Sequence, residues 1–197
     1  MPSKSPILTP VPDEILGDRV LVRPYQPEDA PALWDAIEES REHLAPWMPW
    51  VEYYLTPDQA VEFVVRARAQ WSLRQDLIVG VFERSTGRFL GGSGLHRIDW
   101  DLRAFEIGYW LRRSAEGRGY MRETVQALTR TAFESLDANR VEIRMNSENV
   151  RSRNVAERLG FVYEGTLRNA VTNADGAPRD GCVYSLIPED FAALGWR

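Results

Sequence analysis

The sequence predicts an α+β domain built on one mixed sheet. Three observations carry that expectation. Three strand-like stretches between Leu77 and Leu111 follow one another through short turns, as antiparallel neighbours do. A helical pattern follows, with Val125, Leu128, Ala132, Phe133 and Leu136 at helical spacing. A further strand pattern comes after it, from Arg140 to Met145. The order of strand, two helices, three antiparallel strands, helix and more strands fits an α+β layout.

Residues 1–18 are expected to be a loose N-terminal arm, because Met1 to Pro12 hold four prolines and little periodicity. Residues 19–197 are expected to form a single domain. Arg19 to Arg23 alternates and is stopped by Pro24, which predicts a first strand. Pro27-Glu28-Asp29-Ala30-Pro31 starts a helix with acids in its first turn and Leu33, Trp34 and Ile37 on one face. Leu44 to Leu55 has two prolines and four aromatics, which excludes a regular helix. Its aromatics either fill the core or form a substrate wall. Thr56-Pro57-Asp58-Gln59 opens the second helix, with Val61, Val64, Val65 and Trp71 following at helical spacing. Leu77 to Glu83 and Phe89 to Ile98 form a hairpin around Arg84 to Arg88. Gly91, Gly92 and Gly94 leave the return strand little to pack, so another backbone or a ligand is expected close by. Asp99 to Arg103 turns the chain into the strand Phe105 to Leu111. After Arg140 to Met145, Asn149-Val150-Arg151-Ser152 begins a short helix, Val155 to Leu159, capped by Gly160. Phe161 to Gly165 and Cys182 to Ile187 are the last strands, joined through Asn173 to Pro178.

The stretch from Leu111 to Val125 joins a strand to a helix through Gly117-Arg118-Gly119. Free N–H groups of a first helical turn and the helix dipole favour an anion. Gly117 and Gly119 allow a close approach, and Arg112, Arg113 and Arg118 add positive charge. A Walker loop would need Lys then Ser/Thr where Tyr120-Met121 stands. A dinucleotide fingerprint would need a glycine where Arg122 stands. By itself the turn stays open between an anion cradle and a plain tight entry into a helix.

Composition narrows the class. The chain has 197 residues, 44% of them hydrophobic, enough for one well-filled core. A net charge of -5 argues against nucleic acid as the main partner. One cysteine permits no internal disulfide, and two histidines with it are too few for a typical zinc cluster, so no metal is expected. The start lacks the apolar core of a signal peptide and no apolar run is long enough for a membrane span, so a soluble cytoplasmic protein is expected.

Several separated segments together resemble one family. Phe105 to Leu111, Glu116 to Tyr120, Asn149 to Ser152 and Ala156-Glu157-Arg158-Leu159-Gly160-Phe161 look like a GNAT-type N-acetyltransferase. Within it the chain is similar to the ribosomal-protein N-terminal acetyltransferase (RimJ/RimL-like) branch, which Trp47 to Trp50 and Gly91 to Leu95 also resemble. The likeness covers about Arg19 to Pro188. It implies a mostly antiparallel sheet of about six to seven strands, flanked by helices and splayed between the fourth and fifth. It also implies acetyl-CoA as cofactor. The pyrophosphate would lie on the N–H groups of Gly117, Arg118, Gly119, Tyr120 and Met121. The pantetheine arm would pair with backbone near Trp110, Leu111 and Arg112, with Asn149 and Ser152 near the thioester. Ser114 stands where the family signature usually has Gln or Arg three residues before the first glycine. Asn169-Ala170-Val171 supplies no acid where some ribosomal-protein acetyltransferases carry one.

Acetyl transfer to an amine needs a base, a polarised thioester and a proton for the leaving thiolate. Glu106, on the strand entering the cleft, is the candidate base; alternation with Phe105 and Ile107 equally suits a solvent-facing acid. A backbone N–H near Leu111 would hold the thioester oxygen. Ser152 is either a donor to the thiolate or a helix-cap serine, and Tyr163 is a second donor or a core residue. Trp47, Trp50 and Tyr53 are candidate acceptor walls, and His96 either meets the acceptor or is structural. Arg151, Arg153 and Arg158 form a solvated face or meet phosphate; His43 is expected at the surface and Cys182 in the core. The expected reaction is direct attack of a primary amine, a protein or peptide N-terminus including a ribosomal one, on acetyl-CoA. A small-amine acetyltransferase and a silent acyl-CoA sensor are the alternatives, and a homodimer is compatible with either.

Overall fold

The computed structural model describes residues 5–172 and 176–196. The strands are β1 (Ile15–Leu16), β2 (Val20–Pro24), β3 (Leu77–Glu83), β4 (Phe89–Asp99), β5 (Ala104–Leu111), β6 (Arg140–Asn146), β7 (Val162–Thr172) and β8 (Pro178–Leu186). The helices are α1 (Ala30–Leu44), α2 (Pro57–Leu73), α3 (Tyr120–Ser135), α4 (Val150–Arg158) and α5 (Pro188–Leu194). The strands form one sheet of eight in the order β1-β2-β3-β4-β5-β6-β8-β7.

The eighth strand is β1, whose Ile15 and Leu16 pair with Val22 and Leu21. It corrects the expectation of a loose arm for residues 5–18; residues 1–4 lie outside the described residues. Val11 (9% exposed) and Ile15 (6%) pack into the main core, and their burial ties this proline-rich stretch to the sheet. A strand of two residues has no period that a sequence pattern can display. The short helix expected to begin at Asn149 to Ser152 is α4, its start capped by the Asn149 side chain on the Ser152 N–H. The turn expected over Asn173 to Pro178 falls partly outside the described residues.

Every neighbouring pair is antiparallel except β5–β6, which is parallel. That pair is in register only at Ala104↔Arg140, Phe105↔Val141 and Glu106↔Glu142. Beyond Glu106 the two strands part, so Ile107 to Leu111 border a gap in the sheet.

Strand alternation divides the apolar residues between two faces. Val79, Val81, Leu95, Phe105 and Ile107 pack with Val125, Leu128 and Ala132 of α3. Phe82 and Phe89 pack with Leu33 and Ile37 of α1 and Val64 of α2. The buried stripe of α2 is Ala60, Val64, Ala67 and Trp71, while Val61 (51%) and Val65 (59%) are exposed, unlike the expected face. Alanines at helical spacing let α2 approach closely, and a pattern that counts only large apolar residues misses them. Phe105 is 1% exposed and edge-on to Trp100 at 5.5 Å. Phe105→Ala is expected to lower unfolding free energy by about 3–5 kcal/mol, measured by urea denaturation, because the core closes only partly around the lost ring.

Candidate active site

The path from β5 to α3 runs through a 3-10 turn (Arg113–Ala115), Glu116 and Gly117-Arg118-Gly119. Gly117 (φ 73°) and Gly119 (φ 81°) are left-handed, a region that favours glycine. A Cβ at Gly117 would meet nothing within 4 Å, so that side of the turn is open. The first backbone bond entering α3 is from Glu123 N–H to the Gly119 carbonyl, 3.2 Å. Among the described residues, the N–H groups of residues 117–122 donate to no protein acceptor. Arg19 braces the turn, donating from Nη1 to the Arg118 carbonyl (3.1 Å) and from Nε to Glu123 (3.0 Å). The Tyr120 hydroxyl turns away to Glu83, leaving the backbone of Tyr120 and Met121 to face the cradle. The result is a row of amide donors at a dipole's positive end.

The backbone facing the gap differs in part from expectation. Arg112 donates its N–H to the Leu90 carbonyl (2.8 Å), and a Cβ at Gly91 would lie 2.2 Å from the Trp110 carbonyl oxygen. The polar groups of Trp110 and Arg112 therefore point at β4, and the alternation of a ladder turns those of Tyr109 and Leu111 towards the gap. The backbone groups of Trp110 and Arg112 are thus taken up by β4 and not free for a ligand as expected, while those of Leu111 face the gap. The Arg112 guanidinium is also engaged, at Glu39 (Nε–Oε2 2.8 Å) and the Phe89 carbonyl (3.2 Å). Burial raises the Glu39 pKa, but hydrogen bonds from Arg112 and Ser114 outweigh it and hold the carboxyl at about 2.

Across the gap, the Tyr109 hydroxyl lies 3.0 Å from both the carbonyl and Oγ of Ser152. The Ser152 N–H donates to Asn149 Oδ1 at 3.1 Å. Burial pushes the Tyr109 phenol up to about 12, so it stays a proton donor. Tyr109 was not singled out by sequence reasoning; its only signal was its place in the alternating run of β5. Tyr163, by contrast, is 52% exposed on the outer strand β7 and bonds Thr166 at 2.7 Å, away from β5. His43 is largely covered, its side chain 13% exposed and 3.6 Å from Glu116, instead of facing solvent. Arg151 pairs with the same Glu116 at 2.8 Å, and Cys182 is buried.

A cavity of about 330 Å³ opens on the other side of β5. Met48, Trp50, Tyr54 and Trp110 wall it, and Gly92, His96, Gly108 and Tyr109 lie along its base. Arg41 of α1 holds the aromatic segment by donating to the carbonyls of Val51 (2.8 Å) and Tyr54 (2.6 Å). Trp50 meets Trp110 edge-on at 5.7 Å. Trp47 and Tyr53 are not part of this lining, and Tyr53 is 72% exposed. Of the three candidates only Trp50 faces the cavity: Trp47 precedes the 3-10 turn Pro49–Tyr53, and Tyr53 at its last position is exposed. Gly92 explains part of the glycine run: a Cβ there would strike Trp110 Nε1 at 2.5 Å.

Glu106 is the registered partner of His96 across β4 and β5, so the two share a face. Its Oε2 is buried without a hydrogen bond, with Arg97 Nε at 3.5 Å and Arg144 Nε at 3.6 Å. Burial raises its pKa, Arg97 and Arg144 oppose the shift, and Glu142 adds to it. Glu106 does not itself line the cavity. His96 does, and its Nδ1 lies 2.8 Å from Asp76 Oδ1.

Comparison with known proteins gives a consistent picture. An acetyltransferase (GNAT) domain family model matches residues 19–162. The chain is 30% identical over 177 residues to the provisionally named ribosomal N-acetyltransferase YdaF of Bacillus subtilis (strain 168), covering 89% of this chain and 95% of that one. It is 25% identical over 186 residues to the [ribosomal protein uS5]-alanine N-acetyltransferase of Escherichia coli (strain K12), covering 88% and 90%. Its fold matches the microcin C7 self-immunity acetyltransferase MccE, solved with acetyl-CoA and AMP, at a TM-score of 0.82 and 22% identity over 86% of this chain and 93% of that one.

Proposed function

The chain belongs to the GNAT acetyltransferase family, and we propose that it moves an acetyl group from acetyl-CoA to the N-terminal amine of a protein or peptide. One observation carries this reading. The gap beside β5 and the aromatic cavity meet at Tyr109, which lines the cavity and touches Ser152, and the end of β5 leads into the amide cradle. The residues present suit the coenzyme: among the described residues the amides of 117–122 have no protein acceptor, and the turn is open at Gly117. Gly117, Arg118, Gly119, Tyr120 and Met121 would hold its pyrophosphate, and the gap-facing backbone of Tyr109 and Leu111 its pantetheine arm. Asn149 and Ser152 would lie beside the thioester. Bound there, acetyl-CoA supplies an activated acetyl group and a thiol leaving group. Ser152 Oγ, in contact with the Tyr109 phenol, is placed to give a proton to the departing thiolate. Glu106 is the carboxylate towards which the amine's proton moves, through a group on the cavity wall, since Glu106 is not on it.

The cavity walls favour a peptide over a polyamine. They are aromatic and apolar and carry no carboxylate, whereas a polycation would need several. An N-terminal amine, with a pKa of about 8 against about 10.4 for a lysine-type amine, also yields its proton to a weaker base. The relative from E. coli is named as an N-acetyltransferase acting on alanine of ribosomal protein uS5, in keeping with a protein acceptor. Short peptides with a free N-terminus are expected to give higher kcat/KM than spermidine. Trp50→Ala is expected to raise the peptide KM about 10-fold, a loss of about 1.4 kcal/mol, without changing coenzyme affinity. Steady-state kinetics decides: a higher kcat/KM for spermidine or an aminoglycoside than for every peptide refutes the peptide reading. Tight coenzyme binding with no transfer to any amine leaves only a sensor.

A further inference from the structure

We infer that His96, held in one tautomer by Asp76, is the group that takes the proton directly from the acceptor amine. The inference rests on the acetyltransferase reading and names the wall group that reading requires. Asp76 precedes β3, and its Oδ1 lies 2.8 Å from His96 Nδ1. A carboxylate accepts, so Nδ1 carries the hydrogen and Nε2 presents a lone pair.

The sheet is built to seat this ring. Gly94 and Gly108 are registered partners on adjacent strands. A Cβ at Gly94 would lie 2.8 Å from His96 Nε2, and one at Gly108 would lie 3.2 Å from it. The imidazole thus lies flat over a bare patch of ladder, with Nε2 above Gly108, itself part of the cavity base. Two glycines that a strand would otherwise not favour have a reason here: any side chain would evict the ring.

The surroundings leave His96 as the proton acceptor on the wall. From β5, Glu106 is its registered neighbour, with Arg97 and Arg144 against the Glu106 carboxylate and Glu142 beyond. Tyr109 also comes from β5, Tyr54 from the segment before α2, and Tyr25 from the segment after β2. Burial holds the phenols of Tyr54 and Tyr109 up at about 12, and Tyr25 higher still, so none of them accepts a proton near neutrality. The Ser93 hydroxyl donates to the Gly108 carbonyl at 2.8 Å. Imidazole is the side-chain type among these that accepts a proton near neutral pH. Nε2 takes one proton from the ammonium group; the freed lone pair forms the C–N bond as the C–S bond breaks, and sulfur keeps that bond's electron pair. Ser152 Oγ gives the sulfur a proton and is restored by the nitrogen's second proton, and the imidazolium releases its proton towards Glu106 and solvent. Asp76 acts only through His96, as a positioning residue.

Two measurements test this. In the free protein, nitrogen NMR of the neutral His96 ring is expected to show the Nδ1–H tautomer, and Asp76→Asn is expected to mix the tautomers. His96→Gln is expected to lower kcat about 10²-fold at neutral pH with coenzyme affinity unchanged. That loss shrinks as pH rises through the peptide amine's pKa of about 8, because solution then supplies unprotonated amine. Should His96→Gln fail to fold, Gly108→Ala displaces the ring by meeting it at 3.0 Å and is expected to show the same pH signature. An Nε2–H tautomer in the parent, an unchanged rate, or a loss equal at every pH overturns the inference. A parent that acetylates no amine overturns the acetyltransferase reading itself; an active parent indifferent to His96→Gln overturns only this role.

Discussion

Gly119→Glu is expected to reduce acetyl-CoA affinity at least about 100-fold, a loss of about 2.7 kcal/mol, in calorimetry on the folded variant. Two effects add. Gly119 sits at φ 81°, where a side chain strains the backbone by roughly 1–3 kcal/mol and disturbs the line of amides. The new carboxylate also enters a site whose donors and helix dipole favour an anion, and it repels the pyrophosphate. Arg19 Nη2, 3.4 Å from the would-be Cβ, is available to pair with that carboxylate and hold it in place. Gly119→Ala separates the contributions, since it brings the strain without the charge and is expected to lose far less. A Gly119→Glu protein with parental affinity would mean that the coenzyme's phosphates are held elsewhere.

Glu106→Gln is expected to lower kcat by about 10²–10⁴-fold while coenzyme affinity stays near that of the parent. The pH dependence carries the more specific expectation. Burial raises the Glu106 pKa, against Arg97 and Arg144, so the carboxyl is protonated at pH values where an exposed glutamate is already charged. A protonated Glu106 accepts nothing, so the parent's kcat/KM falls as pH falls through that raised pKa. Glutamine does not titrate, and the variant loses this acidic limb. Rates and a pH profile equal to the parent's would make Glu106 a structural partner of Arg97 and Arg144 and no more.

Much of the fold was legible because its signals are local. The hairpin of β3 and β4 followed from apolar runs around Arg84 to Arg88, and the entry to α3 followed from a strand, two glycines and a helical period. The extra strand β1 was not legible, since Ile15 and Leu16 become a strand only by finding Val22 and Leu21. The start of α4, by contrast, was legible at Asn149 to Ser152, because a cap is a contact between residues close in sequence.

The candidate site divides in the same way. By itself the sequence determined the family resemblance, the glycine turn at residues 117–119, and the chemistry available at Glu106, His96 and Ser152, because residue type and short spacing are properties of the chain alone. Only the tertiary structure decided that Trp50 faces the cavity while Trp47 and Tyr53 do not, and that Tyr109 reaches Ser152. Only it turned the backbone of Trp110 and Arg112 towards β4 and set His96 between Asp76 and two bare glycines. These outcomes depend on strand register and on which face each residue takes. A shift of one residue exchanges the two faces, and register is settled by partners far away in the chain.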